Sequence, residues 1–139
     1  MAVNFFSEDT DFELKGKREI SQWIKQVASE HQRKIGEINY IFCNDDYLLD
    51  LNQEHLQHDT YTDIITFDYS SDGVIEGDIY ISVERVAENA QQFQQSFERE
   101  LKRVMIHGIL HLIGFKDKTE SDQATMRSHE DRYLNSINH

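Results

Sequence analysis

The chain has no proline, a single cysteine and no apolar run near the roughly 20 residues of a membrane span. Without prolines or low-complexity tracts nothing reads as a linker, and no segment repeats. Residues 1–139 are therefore expected to form one domain, long enough for a real core. Cys43 cannot make an internal disulfide, and its expected role is strand packing; a reducing, cytoplasmic location fits. The opening stretch MAVNFFSEDTDFELKGK has no basic start followed by an apolar block, so no secretory signal is read there. Positive charge is scarce too: 14 Lys and Arg stand against 26 Asp and Glu, a formal net charge of -12. Nucleic-acid affinity in general rests on phosphate neutralisation by Lys and Arg. That balance argues against a non-specific nucleic-acid binder, though not against a local basic groove or a larger partner that supplies affinity.

What is present is a mixture of the two hydrophobic periods. Ala2 to Ser7 reads as a strand. From about Lys17 to Glu30 the apolar residues Ile20, Trp23, Ile24 and Val27 follow helical spacing, and Trp23 is expected in the core. A strand is expected over Glu37 to Cys43, led in by Lys34-Ile35-Gly36. Asn44 is a good cap for a helix over Asp45 to Glu54, with Asp45 and Asp46 favoured in its first turn by the helix dipole. Leu48, Leu49, Leu51 and Leu56 would supply its buried side. Thr62 to Tyr69 and Val74 to Ser82 read as strands about a turn at Ser70, Asp72 and Gly73. Ser82 can cap a helix from Val83 to about Gln95, with Val83, Val86, Ala87, Ala90 and Phe93 as its apolar stripe. Ser96 can cap another over about Phe97 to Ile113, and Thr119 or Ser121 a last one to about Asn135, with Met126, Tyr133 and Leu134 inward. The expected fold is α+β, a small mixed β-sheet packed with helices.

The chemistry concentrates between Val104 and Lys118. His107 and His111 are four apart, on one face of a helix and a turn from each other. Gly114 suits the helix stop, and the turn after it can return Asp117 as a third ligand. Three protein ligands with an open fourth position are the usual layout of a catalytic zinc site, in which metal-bound water becomes the nucleophile. The plain alternative is a pair of buried, hydrogen-bonded histidines on a very apolar helix; spacing, glycine stop and carboxylate together favour the metal. His55 and His58, three apart, read instead as solvated loop residues.

In protein-cutting zincins the residue after the first histidine is the glutamate that serves as general base. Here it is Gly108, which cannot take a proton. The zincin-like metal-binding helix survives and the peptide-hydrolysis base does not. Glycine inside a helix costs about 1 kcal/mol relative to alanine. Two compensations are open: close approach of a strand or a substrate backbone to the metal, or tight packing of helix on sheet.

The run from His107 to Phe115 (HGILHLIGF) resembles the H-G-x-L-H-L-x-G-[YF] signature of the YbeY family. Leu51-Asn52, Asp59 and Thr62-Asp63-Ile64-Ile65-Thr66-Phe67 resemble a second family segment, and Gly77-Asp78-Ile79-Tyr80-Ile81-Ser82 a third. The resemblance covers about Leu51 to Leu134. It implies an α+β fold and a zinc-dependent, single-strand-specific endoribonuclease of ribosomal RNA maturation and ribosome quality control. Its partners would be ribosomal RNA and the ribosomal subunit, with one zinc ion on His107, His111 and Asp117 and no catalytic group beyond the metal-bound water. Thr62, Asp63 and Phe67 would shape the neighbouring strand of the cleft. Two positions depart from the family pattern. Asp117 stands where a third histidine is usual; a carboxylate still ligates zinc and makes the site one charge more negative. Leu56 stands where many members carry an arginine, and leucine cannot contact phosphate. Lys102, Arg103, Lys116 and Lys118 are the nearest candidate replacements. Two other readings stay open: a peptidase-like metal hydrolase using Asp63 or Asp78 as base, and a non-catalytic ribosome-assembly factor with structural zinc.

Overall fold

The computed structural model describes residues 2–56 and 62–137. Within them lie β1 (Ala2–Ser7), α1 (Lys17–Glu30), β2 (Lys34–Cys43), α2 (Asp45–Leu56), β3 (Ile64–Asp68), β4 (Val74–Ser82), α3 (Val83–Gln92), α4 (Phe97–Ile113) and α5 (Glu120–Leu134). The strands form a four-stranded sheet in the order β1-β2-β4-β3. β1, β2 and β4 run parallel, and β3 is antiparallel to β4. The expected α+β fold with a small mixed sheet is what forms. His58 and Asp59 lie outside the described residues, as does the side chain of Leu56.

Local chemistry sets the helix starts. The Asn44 side chain accepts from the Tyr47 amide at 2.8 Å. Ser82, Ser96 and Thr119 accept from the amides of Arg85, Arg99 and Asp122. Each bond satisfies one of the amides that a helix start leaves without a partner. Strand β2 begins earlier than its pattern suggests, because Lys34 and Ile35 pair with Val74 and Ile75 before the register shifts.

Helix α4 runs through the centre of the molecule, against β3 and β4 on one side and against α1, α3 and α5 on the others. That position explains its apolar composition: Val104, Met105, Ile106, Ile109 and Leu110 are all buried. Trp23 is core as well, its indole N–H donating to the Tyr133 carbonyl at 3.1 Å. The other face of the sheet carries α2 and a smaller cluster of Cys43, Leu48 and Ile65, flanked by Phe67 and Tyr80. Cys43 is buried there, and burial pushes its thiol up to about 12, so it is an inert packing residue.

Several expectations need correction. His55 is not in a loop but in the last turn of α2, exposed, with its ring edge-on to Phe67 at 5.7 Å. Of the expected α2 leucines whose side chains are described, Leu48 is fully buried, and Leu49 and Leu51 are half-buried. Helix α3 ends at Gln92, so Phe93 becomes its C-cap and is 53% exposed rather than packed with Val83, Val86 and Ala90. Ala87 is exposed too.

Gly108 is resolved in favour of packing. A Cβ there would meet Ile79 Cδ1 and Cγ2 at 3.0 and 3.1 Å and Ile64 Cδ1 at 3.2 Å. The bare position faces the sheet and lets α4 lie close on it. Gly108→Ala should lose about 1 kcal/mol of stability by denaturant titration, overpacking outweighing the helix-propensity gain. Metal affinity should stay unchanged. Unaltered stability with lost activity would restore the substrate-access explanation.

Candidate metal centre

His107 and His111 project from α4 into a cleft of about 830 Å³ between β3, α3, α4 and α5. Gly114 stops the helix with φ 124, and the Gly114 and Phe115 amides both return to Leu110 O, at 3.1 and 3.0 Å. The reversed chain brings Asp117 over the two rings. Its Oδ2 lies 3.4 Å from the Nε2 of each histidine, and the two Nε2 atoms are 3.0 Å apart. Among the described residues, His107, His111 and Asp117 form the one group of three such side chains that can hold a metal ion, with ligand atoms all within 4.8 Å.

The tautomers follow from the partners. His111 Nδ1 lies 3.0 Å from the Phe115 carbonyl oxygen, which can only accept, so Nδ1 carries the proton. His107 Nδ1 lies 2.7 Å from Glu130 Oε2 and donates in the same way. With both Nδ1 atoms protonated, neutral rings present two bare Nε2 lone pairs to each other, beside a carboxylate oxygen. Three acceptors that close repel unless a cation or a proton lies among them. Tetrahedral ligands about 2.0–2.1 Å from zinc stand about 3.3 Å apart, close to the separations found. The residues present therefore fit a divalent metal.

Behind the ligands is a support that the sequence reading missed. Glu130, on α5, is 5% exposed. Its Oε1 accepts from Arg103 at 3.0 Å, and Arg103 also donates to Asp131 at 2.8 Å. A carboxylate that orients a ligating imidazole fixes its tautomer and raises its basicity. Burial alone would lower the His107 pKa, but the Glu130 hydrogen bond and charge outweigh it, with Asp117 and Asp63 adding, and the net shift is upward. Arg103 is thus occupied, which removes it from the candidate phosphate contacts. Lys102, Lys116 and Lys118 do not line the cleft; Arg127 does.

Thr62 and Asp63 line the cleft as expected. Phe67 does not: strand alternation turns it to the α2 side, beside Tyr80 at 5.8 Å. Asp78 accepts from Asn39 at 3.0 Å on that same far face and does not reach the site. Burial pushes the Asp63 carboxyl above its ordinary range, partly opposed by His107. No helix among the described residues is long and apolar enough to cross a membrane.

Fold and site together define an α+β protein whose metal cradle joins two histidines of its central helix to a carboxylate in the turn that follows it. The family model described as Endoribonuclease YbeY matches residues 3–138. Endoribonuclease YbeY of Flavobacterium psychrophilum is 54% identical over 129 residues, 93% of this chain and 92% of the relative. That of Christiangramia forsetii is 53% identical over 132 residues, 95% and 92%. A Thermotoga maritima protein solved in solution superposes with a TM-score of 0.67 at 28% identity, over 96% of this chain and 87% of that one. The chain belongs to the YbeY endoribonuclease family.

Proposed function

We propose that this protein is a zinc-dependent, single-strand-specific endoribonuclease acting on ribosomal RNA in its maturation. The observation that carries the reading is the convergence of His107, His111 and Asp117 at the base of an open cleft, in a chain of this family. His107 and His111 would hold the ion through Nε2 and Asp117 through its carboxylate. A zinc ion bound there supplies a Lewis acid for a phosphoryl oxygen and lowers the pKa of water toward neutrality. Glu130 and the Phe115 carbonyl keep the two Nδ1 protons in place and the rings aimed. Asp63, half-buried in the cleft, has its affinity for protons raised by desolvation, and it is the cleft carboxyl that would serve as proton acceptor.

The reading is tested by incubating zinc-loaded and chelator-stripped protein with single-stranded RNA, a fully paired RNA and casein. Cleavage of the single strand by the loaded protein alone is expected. Cleavage of casein would point to the peptidase-like alternative, and no turnover with retained ribosome binding to an assembly factor.

A further inference from the structure

Phe93 is one of three large apolar side chains that the fold leaves outside among the described residues. Its backbone is fixed: its amide donates to Asn89 O at 2.9 Å, and Gln95 N returns to Ala90 O at 2.8 Å. Between them Gln94 takes a left-handed backbone with φ 56, unfavourable for a residue with a Cβ. The ring is 53% exposed and lines the same cleft as His107, His111 and Asp117. Phe6 and Tyr69 are about as exposed, at 51% and 61%, but neither lines that cleft.

Apart from the metal, which would engage one phosphate, the side chains of the cleft are wrong for holding a polyanion by its phosphates. Asp63, Asp68, Glu100, Asp117 and Glu130 line it, against Arg103 and Arg127, and Arg103 is engaged by Glu130 and Asp131. Electrostatic binding of RNA depends on Lys and Arg replacing counterions, and this wall offers little of that. An aromatic face is the other general means of holding a strand, because every base has a π-face whatever its sequence. A base inside a duplex is covered on both faces, whereas an unpaired one is free to stack.

We propose that Phe93 is the base-stacking platform of the cleft, receiving an unpaired nucleobase of the bound RNA and so determining the preference for single strands. The inference rests on the endoribonuclease reading above. It makes Phe93 a specificity-determining residue that takes no part in the bond-breaking step.

The test uses the zinc-loaded full chain and single-stranded RNA oligonucleotides with 2-aminopurine at successive positions. Wild type should quench the fluorescence at one position. Phe93→Leu, which keeps apolar bulk, should lose that quench and raise KM about tenfold, with kcat and zinc affinity kept. Phe93→Trp should restore both, and Tyr69→Leu should change neither. An unchanged KM and quench in Phe93→Leu, with RNA cleavage intact, would overturn this inference and leave the endoribonuclease reading standing. A wild-type protein that neither binds nor cuts RNA would remove both.

Discussion

His111→Ala is expected to abolish RNA cleavage while leaving the metal-free fold intact. His111 is partly exposed at the cleft floor, and its side chain bonds to the carbonyl of Phe115 rather than to the core. Its loss takes away a ligand and also the close approach of two Nε2 atoms at 3.0 Å, which is repulsive wherever neither a cation nor a proton lies between them, that is, at a pH above the raised His107 pKa. The melting temperature of the metal-free variant should therefore match wild type or slightly exceed it. Metal affinity behaves differently. A structural zinc site is worth about 10–16 kcal/mol, so one ligand in three carries roughly 3–5 kcal/mol, or about two to four decades in Kd. At a thousand times the wild-type Kd, zinc should stabilise wild type by about 4 kcal/mol and the variant by no more than about 1.4 kcal/mol. Calorimetry with and without zinc reads both numbers. A variant that binds zinc as wild type does would remove His111 from the ligand set.

The part of this site that is legible in the sequence is the part that is local. His107, His111, Gly114 and Asp117 lie within three turns of chain, so helical spacing and a glycine stop suffice to bring them together. The helix caps at Asn44, Ser82 and Ser96 are legible for the same reason. Phe93 is displaced from the stripe by a helix boundary, and Phe67 from the cleft by strand alternation. Phe93 keeps helical spacing with Ala90, but α3 ends one residue before it and the ring turns outward. Phe67 shares a strand with Thr66 and so faces the opposite side of the sheet. Glu130 carries no signal at all: it is one acid among many on a polar helix, 23 residues from His107, and only the packing of α5 on α4 joins them.

Because Glu130 is joined to the site through packing, its replacement separates orientation from stability. Glu130→Gln keeps the shape and an oxygen able to accept from His107 Nδ1, and removes the charge. Zinc affinity should fall about 10- to 100-fold, the usual cost of altering a residue that orients a metal ligand. Glu130→Ala also leaves Arg103, whose side chain is 14% exposed, without one of its partners. Removing one partner from a buried ion pair typically costs 3–5 kcal/mol; the remaining bond to Asp131 should hold the loss near about 3 kcal/mol. The metal-free proteins should also differ in pH dependence. The folded-state pKa of His107 is raised above the ordinary 6.5, with Glu130 the chief cause of the rise. The stabilisation this provides is full below the ordinary value and is lost as pH climbs through the raised one. Wild type without metal should accordingly lose stability over that interval, and Glu130→Gln should lose less. Zinc competes with the same proton for Nε2, so wild-type affinity should climb over the interval in which metal-free stability declines. Parallel pH profiles for wild type and Glu130→Gln would show that Glu130 packs beside His107 without governing its proton or its metal.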